Sequence, residues 1–75
     1  MADELLDVKG LNCPLPILRA KKFLKGMPAG KTLEVQATDP GAVKDFEAFC
    51  RVTGNELLQS SQEGDDYRFL IRKSG

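Results

Sequence analysis

The sequence predicts an α/β (α+β) two-layer sandwich of order βαβαββ, a four-stranded mixed sheet with two helices packed on one face. Three observations carry this. Strand and helix signals alternate along the chain. Leu33, Val35 and Ala37 alternate with polar residues, so one side of the sheet meets water and the other a core. Proline follows a cap-like residue at Cys13-Pro14 and again at Asp39-Pro40, marking two helix starts.

The elements follow in order. Leu6 and Val8 alternate with Asp7 and Lys9, a short first strand before Gly10. The first helix runs from about 14 to 25 or slightly beyond, with Ile17, Ala20, Leu24 and Met27 as its core stripe and Phe23 at the edge. Gly26, Pro28 and Gly30 end it. Residues 32–38 form the clearest strand. The second helix turns Val43, Phe46, Phe49 and Cys50 inward and stops at Gly54. A weaker strand over about 56–62 reaches the hairpin turn Glu63-Gly64-Asp65, and the last strand, 67–72, sets Tyr67, Phe69 and Ile71 on one face. No internal repeat, low-complexity segment or linker interrupts the pattern.

Seventy-five residues make one small domain, 1–75, near the lower limit for folding without metal or disulfides. A hydrophobic fraction of 41% with 29% charged residues is that of a globular chain. Eleven Lys plus Arg balance eleven Asp plus Glu, which removes any overall bias toward nucleic acid or anionic membrane. No stretch has transmembrane length, and Met-Ala-Asp-Glu lacks the basic start of a signal peptide, so the expected location is cytoplasmic. Two cysteines and no histidine exclude a Cys–His nucleophile pair and any zinc site that needs imidazole. There is no Cys-x-x-Cys for a dithiol mechanism, and a cytosolic location argues against a lasting bond between Cys13 and Cys50. No cofactor or metal is expected, and the expected state is a monomer.

Chemistry is prepared at one place, Asn12-Cys13-Pro14-Leu15-Pro16. Pro14 suits the first helical position, which makes Cys13 the expected N-cap, with its sulfur at the positive end of the helix dipole. A thiol so placed is pushed toward thiolate, the attacking form. Pro16 replaces another orphan N–H, and the N–H of Leu15 between the prolines is expected to point at the sulfur. The bland alternative is an inert cysteine beside two helix-starting prolines. The position argues against it, because an N-cap is a polar, partly exposed site.

Other features read more simply. Cys50 lies on the apolar stripe of the second helix and is taken as structural. Arg19, Lys21, Lys22 and Lys25 suit a solvated helix face. Leu15 and Leu18 nevertheless project off the core stripe, on the side that carries Lys22 and Lys25. Together these four make a candidate docking patch for an acidic partner. Asp39 reads as a helix cap, Asp45 and Glu47 as outer-face residues of the second helix, and Gly41 is too isolated for a phosphate loop.

The run from Leu6 through Cys13-Pro14-Leu15-Pro16 resembles the signature of the TusA (SirA-like, YedF-like) sulfur-carrier family, as do Thr38-Asp39-Pro40 and the stretch from Phe49 to Gly54. The resemblance implies a sulfur carrier whose Cys13 takes sulfane sulfur as a persulfide from a donor protein, such as a cysteine desulfurase or a rhodanese-like protein, and relays it to an acceptor protein. It places such carriers in tRNA thiolation, sulfur oxidation or cofactor biosynthesis, as sulfurtransferase-like partners of enzymes, with no direct nucleic-acid or membrane contact. Asn55 departs from the pattern, since family members often carry His there. The competing readings are a single-thiol redox sensor, which lacks a nearby resolving thiol, and a regulatory binding module that contacts protein or RNA.

Overall fold

A computed structural model of the chain describes residues 2–74. The elements are β1 (Glu4–Asp7), α1 (Leu15–Lys25), β2 (Thr32–Ala37), α2 (Ala42–Thr53), β3 (Glu56–Glu63) and β4 (Asp66–Arg72). The order βαβαββ and the four-stranded mixed sheet are those expected from the sequence. Spatially the strands run β1-β2-β4-β3. β1 pairs parallel with β2, which requires the crossover that α1 supplies, while β2–β4 and β4–β3 are antiparallel.

Alternation decides which side of each strand is dry. Leu33, Val35 and Ala37 of β2 and Phe69 and Ile71 of β4 are fully buried, and Val8 extends the same face just beyond β1. Ala20 and Leu24 of α1, Ala42, Phe46 and Cys50 of α2, and Met27 close over them. At the centre, Phe46 stacks on Phe69 with ring centroids 4.7 Å apart and meets Phe49 edge-on at 6.4 Å. Such aromatic pairs add to the gain from burial alone.

Local chemistry terminates the elements. Gly54 takes φ 81° after α2 and donates its N–H to the Cys50 carbonyl at 2.9 Å, a left-handed stop open to glycine. α1 ends differently, because Gly26 stays at φ −90°. The end of α1 is completed from far along the chain. Lys73 Nζ donates to the carbonyls of Leu24, at 2.6 Å, and Met27, at 3.2 Å, where the helix dipole is negative. In β3 a bulge between Leu57 and Gln59 leaves Leu58 as the extra residue, turned outward.

Both helix starts differ from the sequence expectation. α1 begins at Leu15 with Pro14 as its cap residue, and no side chain caps it. α2 begins at Ala42, because Pro40-Gly41 turn outside the helix while Asp39 bonds the Gly41 N–H.

Phe46→Ala should remove about 3–5 kcal/mol of stability, the usual loss for a fully buried phenylalanine. Urea unfolding measures it. A loss under about 1 kcal/mol would mean that the aromatic stack is not the centre of the core.

Candidate functional site

The loop between β1 and α1 lies beyond the carboxyl ends of the parallel pair β1–β2, and side chains from the end of β2 hold it there. Gly10, at φ 84°, donates its N–H to Thr38 Oγ1 at 2.9 Å. Three residues on, the Cys13 N–H donates to Asp39 Oδ2 at 2.7 Å. Asp39 Oδ1 accepts the Gly41 N–H at 3.1 Å, so one carboxylate ties the cysteine loop to the turn that starts α2. Asp39 thus does more than cap a helix.

Cys13 itself is exposed, but it is not the N-cap. It stands one residue earlier, joined to Pro14 by a cis peptide bond. The Leu15 N–H does not face the sulfur either, because it donates to the Asn12 carbonyl at 2.8 Å. Asn12 and Pro14 are exposed, whereas Pro16 is buried and anchors the first turn of α1 in the core.

The electrostatics of the sulfur also correct the sequence reading. The Asp45 carboxylate beside the thiol favours its protonated form, and slight desolvation and the charges of Asp45 and Asp39 push the Cys13 pKa up in the same direction. Asp45 is therefore not a solvated outer-face residue. It sits half-buried in the first turn of α2 and faces Cys13, while Glu47 is exposed as expected. Cys50 is 4% exposed, and burial pushes its thiol up, in keeping with a structural role.

Between α1 and α2 runs an apolar groove of about 440 Å³ that starts at Cys13. Pro14, Ile17, Leu18 and Lys21 line one side, and Asp45, Ala48, Phe49, Val52 and Thr53 the other. Leu18 is 53% exposed and Val52 82%, large fractions for apolar side chains. Of the four docking residues read from sequence, only Leu18 lines this groove. Leu15, 45% exposed, and the exposed Lys22 and Lys25 lie outside its lining, and both lysines also fall in the last turn of α1, where cations suit the helix dipole. The α2 wall was missed. Its signal is the spacing 45, 48, 49 and 52, a stripe beside the core stripe that ends in an unexplained exposed valine.

Asn55, at the position of departure from the family pattern, is occupied structurally. Its Oδ1 accepts from the Ser74 N–H at 2.9 Å and from Ser74 Oγ at 3.1 Å.

Exposure should dominate the relative reactivity of the two thiols. Cys13 should alkylate much faster than Cys50 in the folded protein, as read by mass spectrometry of the labelled peptides. Equal rates would remove the basis for placing the site at Cys13.

Comparison with known proteins agrees with this architecture. Residues 4–73 match the family model described as Sulfurtransferase TusA. The chain is 62% identical over 72 residues to a sulfur carrier protein TusA of Allochromatium vinosum, covering 96% of this chain and 95% of that one. It is 42% identical over 71 residues to a sulfur carrier protein TusA of Pseudomonas putida, covering 95% and 89%. The crystal structure of a SirA-like protein from Desulfitobacterium hafniense superposes with a TM-score of 0.81 over 96% of this chain and 99% of the other, at 20% identity, which speaks for the fold alone. With the cysteine loop, the sandwich and nearly the whole sequence in agreement, the chain belongs to the TusA family of sulfur carriers.

Proposed function

We propose that Cys13 is the sulfur-carrying residue, loaded by a persulfide-bearing donor protein of the cysteine desulfurase or rhodanese-like kind and discharged to an acceptor protein. The observation that supports this most is the exposure of Cys13 at the mouth of an apolar groove, while Cys50 is enclosed in the core. A protein partner can bring its sulfur to the first and not to the second.

The chemistry is thiol exchange. The Cys13 sulfur attacks the outer sulfur of the donor persulfide, a new S–S bond forms on Cys13, the donor S–S bond breaks, and the donor leaves as its thiolate. The Cys13 proton departs as the sulfur attacks, and the outgoing donor thiolate can take it up. Discharge repeats the step with the acceptor's thiolate as nucleophile. No resolving cysteine is needed, because each partner brings its own sulfur.

Docking follows from the same geometry. A partner that delivers sulfur to Cys13 covers the first turns of α1, meets Leu18 and Val52 at the desolvated centre, and touches Leu15 at the rim. Lys22 and Lys25 steer an acidic partner toward this face. tRNA thiolation, sulfur oxidation and cofactor assembly remain the pathways in which such a relay would operate, from a cytoplasmic location. Among the described residues no helix is long and apolar enough to cross a membrane.

Two experiments test this reading. Cys13→Ser should keep the fold, since the Cys13 side chain caps nothing and its N–H bond to Asp39 is a backbone bond, yet it should gain no sulfur from a desulfurase supplied with cysteine. Mass spectrometry reads the added sulfur, and a loaded Ser variant would move the site to Cys50. Leu18→Glu should abolish transfer of labelled sulfur with circular dichroism unchanged. The pair Lys22→Glu and Lys25→Glu should slow transfer chiefly at low ionic strength, where screening is weakest. Wild-type rates in all of these variants would place docking on another surface.

A further inference from the structure

We propose that Thr38 and Asp39 are positioning residues for sulfur transfer, whose side-chain oxygens extend the β1–β2 ladder past its last backbone pair and fix Cys13 at the mouth of the groove. The proposal deepens the assignment of Cys13 as the carrying residue and rests on it. β1 and β2 pair as far as Asp7 and Gln36, and one more backbone bond follows, from the Val8 N–H to the Gln36 carbonyl at 2.8 Å. There the backbone pairing stops, because the chain turns at Lys9-Gly10, with Gly10 at φ 84°. Side chains then stand in for the missing carbonyls. Thr38 Oγ1 accepts the Gly10 N–H at 2.9 Å, and Asp39 Oδ2 accepts the Cys13 N–H at 2.7 Å. Both holding residues are half-buried, whereas Gly10 and Cys13 are exposed.

Asp39 works at two points. Its Oδ1 accepts the Gly41 N–H at 3.1 Å, so the carboxylate that holds Cys13 is itself held by the turn leading into α2. A carboxylate offers an acceptor oxygen to each of these N–H groups, while the amide of asparagine would turn a donor toward one of them. Precise placement matters for this reaction. The incoming persulfide rides on a docked protein, so its outer sulfur arrives where the groove sets it, and the Cys13 sulfur must meet it there. A misplacement of about 1 Å can cost on the order of a hundredfold in rate. A small reagent makes no such demand, since it reaches an exposed thiol wherever the loop carries it. The carboxylates of Asp45 and, to a smaller extent, Asp39 push the Cys13 thiol toward its neutral form, so removing the Asp39 charge leaves no less thiolate. Slower transfer on changing Asp39 would then not be a loss of nucleophile.

The test is loading of the full chain by a cysteine desulfurase with labelled cysteine, measured as rate against carrier concentration. Asp39→Asn should lower the rate at saturating carrier about ten- to a hundredfold. The half-saturating concentration should hold, because Asp39 does not line the groove. Alkylation of Cys13 by iodoacetamide should be at least as fast as in wild type. Thr38→Val, which keeps the shape and loses the acceptor, should show a smaller loss of the same kind, and Thr38→Ser should restore the wild-type rate. Glu47→Gln, on the exposed face of α2, should match wild type. A residue that only stabilised the fold would lower the urea midpoint without separating transfer from alkylation. Wild-type loading kinetics in Asp39→Asn, with circular dichroism unchanged, would overturn the proposal. If Asp39→Asn did not fold, Thr38→Val against Thr38→Ser would decide in the same way. Hydrogen exchange of the wild type gives a second measurement, in which the Gly10 and Cys13 amides should be protected. Exchange of the Cys13 amide at the rate of an unstructured peptide would be the contrary result. A wild type that took up no sulfur would be a failure of the carrier assignment, seen separately from any difference between variants.

Discussion

The loop that carries Cys13 depends on the carboxylate of Asp39. The chain from Gly10 to Pro14 contributes little regular hydrogen bonding of its own, and an irregular segment of this kind is mobile unless other groups fix it. Here the fixing groups come from the residues just after β2. Thr38 takes the N–H of Gly10, and Asp39 takes those of Cys13 and Gly41. The two Asp39 bonds are charge-assisted, the stronger class, and they join the start of one crossover to the start of the next connection. Because β1 and β2 are parallel, their carboxyl ends lie together, and the sheet topology itself brings residue 39 within reach of residue 13.

The contrast between the two cysteines shows how much location decides. Each thiol is pushed toward its neutral form, but for different reasons. Cys50 is kept neutral by the loss of water around it, which no partner can reverse without opening the core. Cys13 is pushed toward its neutral form chiefly by a neighbouring carboxylate, at an exposed position.

Much of the fold was legible in the sequence because its signals are local and periodic. Alternation over residues 32–38 located β2, the stripe Ala20, Leu24 and Met27 gave the buried side of α1, and Gly54 marked the end of α2. The position of Cys13 was legible too, since the prolines that surround it are local features. Its electrostatics were not. The expected N-cap followed from a helix taken to begin at Pro14, yet α1 begins one residue later, and the Leu15 N–H is spent on Asn12. Asp45 lies thirty-two positions away along the chain, and only the packing of α2 against α1 brings its carboxylate to the sulfur. The groove escaped for the same reason, being the product of two stripes that each look incidental when read alone.

The lysine that closes α1 has a consequence for how the molecule is assembled. Lys73 Nζ reaches the Leu24 carbonyl across 49 positions of sequence. On the ribosome, α1 emerges well before β4 and the lysine that follows it. For that interval its last turn lacks both the buried surface of the sheet and the cation at its negative end. A short helix is marginal without tertiary support. The end of α1 is therefore completed late, once β4 has inserted between β2 and β3. Until β4 is in place, the end of α1 has neither its cation nor its packing surface.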